Sequence, residues 1–234
     1  MAFDVYVGGF SRYYAREWEN VAQKWARENN TGYRMIGPDG EPQAADWDQV
    51  TEIVSHWRAA INNGIGKHLD SPIDWDESRD APYFTDRPGY DAYGALLVWA
   101  AHAEAGTEPP TSYNGEWYSD ETFLGCSVPK QGQKYRPITC GSLWLPGEFE
   151  FSFDFEDLTH EKVHICSNHS LLRSLDELNQ NTFQLDSDQM AVALEGESEK
   201  EEPTLATLAR FGLALFHSLA EQSVQHQLPI RLST

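Results

Sequence analysis

The stretch GEFEFSFDFEDLTHEKVHICSNHSLLRSLDELNQ, residues 147–180, decides the fold. Within it Phe149, Phe151, Phe153 and Phe155 alternate with Glu148, Glu150, Ser152, Asp154 and Glu156. That is the two-residue period of a strand with one face in a core and the other wet and negative. EKVHICS, residues 161–167, reads as the next strand, and the short turn before it makes the pair antiparallel. Asn168 is placed to cap a helix that turns Leu171, Leu172, Leu175 and Leu178 inward. Strand, turn, strand and helix in this order predict an α+β fold, an antiparallel sheet with helices packed on it.

Working outward, Phe3, Val5 and Val7 alternate with polar neighbours and predict a first strand that ends at Gly8-Gly9. Ser11 then suits the cap of a helix whose apolar stripe is Tyr14, Trp18, Val21, Ala22 and Trp25. A second helix is expected from Asp46 to Asn63, with Gln49 completing a capping box and Trp47, Val50, Val54, Trp57 and Ile61 buried. Residues 66–89, with Pro72, Pro82 and Pro88, read as a long irregular connection, followed by a third helix from Asp91 to Gly106. Residues 121–128 and 136–145 read as β-rich runs. LEGESEKEE, residues 194–202, has no apolar face and reads as a mobile acidic loop. Pro203 opens a final helix, apolar around most of its circumference from Leu205 to Leu219, and LPIRL at 228–232 adds a last strand. No repeat or linker divides the chain, so residues 1–234 are expected to form a single domain.

The chain carries a formal net charge of −20, unevenly spread. Residues 1–45 hold six acids against five bases, residues 46–145 hold 15 against 7, and residues 146–234 hold 16 against 5. Such a surface attracts cationic partners and repels nucleic acid and anionic membrane over a Debye length of about 8 Å. Cys126, Cys140 and Cys166 are odd in number and form no CxxC, which argues against a disulfide framework and for a reducing compartment. MAFDVYVGGF has neither the basic nor the long apolar part of a signal peptide, and a cytoplasmic location is expected.

HEKVH, residues 160–164, has the HExxH spacing of zinc metallopeptidases, in which two histidines on one helical face hold the metal and the glutamate activates water. A metal-dependent hydrolase using His160, Glu161 and His164 is therefore one reading. The segment is β-branched and follows the phenylalanine strand, however, so it is expected as strand or turn, where the pattern does not assemble zinc. Gly8-Gly9 lacks the rest of a phosphate-binding loop, and Ser127 in GCSVP lacks the final glycine of a nucleophile elbow. No cofactor is implied. Trp75 in SPIDWDESRD and Trp117 in YNGEWYSDE sit among acids in expected loops. An aromatic anchor ringed by carboxylates can receive a basic partner, which makes Asp74, Trp75, Asp76, Glu77, Glu116 and Trp117 the candidate partner-binding residues.

The head DVYVGGFSRYYAREWEN, the segment SLLRSLDELNQNTF and the tail LARFGLALFHSLAEQSVQHQLPI resemble small, acidic, uncharacterised bacterial proteins of similar length. The resemblance implies a bacterial, soluble, single-domain chain and carries over no catalytic residue. Many proteins of this size and acidity are immunity proteins of toxin systems, and by that analogy the expected function is a non-enzymatic inhibitor that caps a basic toxin. The alternatives are the metal-dependent hydrolase and an acidic adaptor or scaffold.

Overall fold

A computed structural model describes residues 3–31, 45–111, 115–195 and 203–233. In chain order its elements are β1 (Asp4–Val7), α1 (Phe10–Ala15), α2 (Val21–Glu28), α3 (Trp47–Ile65), β2 (Phe84–Asp86) and α4 (Gly89–Ala105). After these come α5 (Glu121–Cys126), α6 (Arg136–Thr139), β3 (Leu143–Leu145), β4 (Phe153–Glu156), β5 (Lys162–Ser167), α7 (Asn168–Asn181), α8 (Ser187–Glu195), α9 (Leu205–His226) and β6 (Ile230–Ser233). Among the described residues six strands form one sheet in the order β2-β1-β6-β3-β5-β4. The α+β class is as expected, but the sheet is mixed, because β3 and β5 are parallel. The chain leaves β3, skips one strand position to lay down β4, and returns through β5 into the gap, so β5 points the same way as β3.

Alternation along the strands builds a core on each face of the sheet. Val5, Val7, Trp144, Cys166 and Ile230 point to one side, under α4, α7 and α9. Leu143, Leu145, Val163 and Ile165 point to the other, against Phe10 of α1 and Val50, Val54, Trp57 and Ile61 of α3. Helices thus cover both faces, in three layers. α4 and α9 pack closely because Gly212 has no side chain: a Cβ there would lie 2.6 Å from the Ala92 carbonyl oxygen. Gly94 serves the same end toward a loop, since a Cβ would run into the Trp117 ring.

Several elements depart from the sequence reading, each for a local reason. The expected helix from Ser11 to Trp25 is two: α1 stops at Arg16, which takes the left-handed conformation (φ 60°), and α2 restarts at a capping box between Asn20 and Gln23. The break shifts the helical phase, so Trp25 is 60% exposed rather than buried. The connection 66–89 contains β2, which pairs with β1. In the run 121–128, Asp120 accepts the Phe123 N–H and caps α5, and in the run 136–145 Pro137 suits the first turn of α6, leaving only Leu143–Leu145 as strand. Of the alternating phenylalanine segment only Phe153–Glu156 pairs with a neighbour. The cap of α7 is Ser167, whose Oγ accepts the N–H groups of His169 and Ser170, rather than Asn168. α3 runs through Gly64 to Ile65, and α4 begins at Gly89. Of the acidic loop at 194–202, residues 196–202 lie outside the described residues, while Leu194 and Glu195 end α8.

Candidate functional site

The β4–β5 hairpin stands at the edge of the sheet and brings together the chemistry-bearing residues of the deciding stretch. Phe153 and Phe155 face α3, and Trp57 of α3 donates its indole N–H to the outward carbonyl of Glu156 at 2.8 Å. Beside this contact a groove of about 820 Å³ runs along β4, lined by Ile53, Trp57, Phe155 and Leu158 with Asp154, Glu156, His160 and Lys162 at its rim. Ile53, an apolar side chain that lines the same groove as Glu156, is 47% exposed.

The root of the hairpin is fixed by a buried ion pair. Asp157 accepts from Arg231 Nη2 at 2.5 Å, and the Arg231 guanidinium lies over the rings of Tyr13 and Tyr14, 5.2 and 5.4 Å from their centroids. The other Asp157 oxygen accepts from the Thr159 N–H and hydroxyl and from the Glu161 N–H. Burial acts to raise the Asp157 pKa, but the hydrogen bonds from Thr159, Arg231 and Glu161 outweigh it and hold the carboxyl below its ordinary range.

Asp154 and Lys162, which also line the groove, meet His164 across the hairpin register, Asp154 opposite His164. His164 Nδ1 lies 2.7 Å from Asp154 Oδ1, and its Nε2 lies 2.9 Å from Ser152 Oγ. Asp154 Oδ2 lies 2.7 Å from Lys162 Nζ. Hydrogen bonds from His164 and then Lys162 lower the Asp154 pKa, so this carboxylate is ionised at neutral pH. The HEKVH segment is turn and strand, with His160 at φ 62° and its side chain 90% exposed while His164 is turned onto Asp154 and Ser152. It does not present two histidines on one helical face. Among the described residues no group of three or more His, Cys, Asp and Glu side chains could hold a metal ion. The described cysteines are free thiols; Cys140 Sγ donates to the Cys126 carbonyl at 3.3 Å, and burial pushes the Cys166 thiol up to about 12.

The candidate partner-binding residues fall on the two faces of the sheet. Trp75 belongs to the α1–α3 core and Trp117 packs on the α4 core, so the segments 74–77 and 116–117 do not form one surface. Trp75 is 6% exposed, packed edge-on against Phe10 at 5.5 Å, and is not an exposed anchor. Glu77 is structural: its carboxylate accepts the N–H groups of Phe10 and Ser11, at 3.1 and 2.7 Å, and the Trp75 indole N–H. It thereby satisfies the open first turn of α1. Asp74 and Asp76 are exposed, Asp74 paired with Arg58 at 2.5 Å and Asp76 accepting the Ser78 N–H. Trp117 is half-buried among Tyr90, Tyr93 and Phe123 with its indole nitrogen unpartnered, and Glu116 is exposed. Replacing Glu77 by alanine strands three donors and is expected to lower stability by about 1–3 kcal/mol. Urea unfolding measures this, and an unchanged midpoint would refute the capping role.

Sequence reasoning passed over Ser152 and Asp154 as site residues although their shared face was legible from the alternation. The missing fact was the cross-strand register that sets His164 opposite them. Among the described residues no helix is long and apolar enough to cross a membrane. No family model, curated protein or solved structure matches this chain, so its own side chains carry the functional reading.

Proposed function

We propose that this chain is an acidic binding protein that caps a basic partner protein, in its most specific form an immunity-type inhibitor of a bacterial toxin acting in the cytoplasm. The observation that carries the reading is the groove along β4, where exposed Ile53 and the Trp57 and Phe155 rings lie beside Asp154 and Glu156 on a chain of net charge −20. An apolar anchor ringed by carboxylates is how an interface combines desolvated contact with steering of a cationic partner. Asp74 and Asp76 extend the same side of the sheet, since Trp57 and Trp75 both pack against Phe10. Glu116 and Trp117 lie on the far side and would belong to a second contact.

The inhibitor role follows from electrostatics. A basic cleft that binds an anionic substrate is occupied by a surface of opposite sign, which competes with the substrate and associates quickly at low salt. The test is capture of the partner at low salt, elution by rising salt, and titration of the purified partner's activity against this chain. Inhibition complete at one equivalent is expected, with affinity reduced at least about tenfold by the pair Ile53→Asp and Glu156→Lys. A captured partner whose activity survives saturation would make the chain an adaptor instead.

A further inference from the structure

We propose that Ser152, His164 and Asp154 form a nucleophilic centre that hydrolyses uncharged carboxylic esters, a site that shares Asp154 with the groove rim but includes neither Ile53 nor Glu156. The connectivity is that of an acid, a base and a nucleophile in series: carboxylate to Nδ1 at 2.7 Å, Nε2 to hydroxyl at 2.9 Å. The order of the contacts matters more than the composition. A carboxylate can only accept, so the proton between Asp154 and His164 resides on Nδ1. The neutral ring then has its lone pair on Nε2, the atom facing the Ser152 hydroxyl, which is the arrangement a general base requires.

Asp154 and His164 are held in place by contacts outside the array. Asp154 divides its oxygens, Oδ1 to His164 and Oδ2 to Lys162, which fixes the plane of the carboxylate and keeps it ionised. His164 is held through its backbone, its N–H donating to Ser142 Oγ at 3.2 Å and its carbonyl accepting from the Ser142 N–H at 3.1 Å. The His164 side chain is 13% exposed, so the base is largely shielded from water, while Ser152 is half-buried just before β4 begins and can be reached from outside. The net charge of −20 would repel an anionic substrate, which selects uncharged esters.

The reaction balances with water as the second substrate. Ser152 Oγ bonds to the ester carbonyl carbon as its proton passes to His164 Nε2. The carbon–oxygen bond to the leaving alcohol then breaks, and Nε2 returns the proton to that oxygen. Water attacks the acyl-serine, giving one proton to Nε2, and the acid leaves as the proton goes back to Ser152 Oγ. Asp154 stays ionised throughout and orients the ring.

The test uses the intact chain and a fluorophosphonate, which phosphonylates an activated serine, with the adduct mapped by mass spectrometry. One adduct on Ser152 is expected, and His164→Gln should slow labelling at least roughly a hundredfold, as should Asp154→Asn. Hydrolysis of 4-nitrophenyl acetate should fall by a similar factor in Ser152→Ala, whose melting temperature serves as the folding control. If His164→Gln fails to fold, the wild-type adduct position and the Asp154→Asn rate still decide the matter. Folded protein unlabelled at Ser152, or labelling as fast in either variant as in the wild type, would overturn the proposal. Either result leaves the groove reading intact, because Ile53→Asp and Glu156→Lys do not touch the array.

Discussion

Replacing Asp157 by alanine is expected to destabilise the fold by about 3–5 kcal/mol, a large share of the roughly 5–15 kcal/mol that holds a domain together. The loss is mostly the penalty of what remains. Arg231 is 8% exposed and its guanidinium is enclosed by the Tyr13 and Tyr14 rings, so without Asp157 a buried cation has no counter-charge. The Thr159 and Glu161 N–H groups lose their acceptor as well, and with them the turn that joins β4 to β5. For a chain of this length the change corresponds to a melting temperature lower by roughly 6–20 °C. Asp157→Asn keeps the shape and loses the charge, so it should fall between.

The same residue sets a pH dependence. Because the folded-state pKa of Asp157 lies below that of the unfolded chain, its stabilisation is complete above about pH 4. It is lost as pH falls through the lower, folded-state value. Wild type should therefore lose its advantage over Asp157→Asn in acid, and urea midpoints for the two proteins at neutral and acid pH would read this. A constant gap between them would show that the ion pair contributes nothing through its charge.

Replacing Trp144 by alanine is the second large effect expected, about 3–5 kcal/mol. Trp144 is 1% exposed in β3 and turned into the α4–α9 core, edge-on to Phe216 at 6.3 Å. Its indole N–H donates to the Pro137 carbonyl at 2.9 Å, tying α6 to the sheet. Gly141 leaves room for that ring, since a Cβ there would sit 2.6 Å from both the indole nitrogen and the Pro137 oxygen. Alanine leaves a cavity and an unpaired carbonyl, whereas Trp144→Phe keeps most of the volume and should cost about 1–3 kcal/mol for the lost bond and partial void. Equal losses in the two variants would place the whole effect in the hydrogen bond rather than in the packing.

The elements that sequence made legible are those whose pattern is local. The alternation ending at Glu156, the strand EKVHICS and the leucine stripe of α7 each repeat with the period of their own structure, and the structure has a strand or helix at each. What could not be read depends on partners far along the chain. The parallel pairing of β3 with β5 arises from where β4 is laid down, and the run at 121–128 is helical because Asp120 caps it and Phe123 finds a buried place. Trp75 and Glu77 show the same limit for the site. An acidic loop around an aromatic residue reads as a docking surface, yet the tertiary structure turns the ring inward and uses the carboxylate to cap α1. The Ser152–His164–Asp154 array was half legible, with two members on one strand face and the third supplied by register.

The measurement that bears most directly on the binding reading is the rate of association between this chain and its captured basic partner across a salt series. For an acidic surface steering a cationic protein, the rate should fall steeply with rising salt. The variant carrying Asp74→Lys, Asp76→Lys and Glu156→Lys should start roughly tenfold slower at low salt and show a flatter dependence. A wild-type rate that does not change with salt, or a charge-reversed variant that associates as fast as the wild type, would contradict the account.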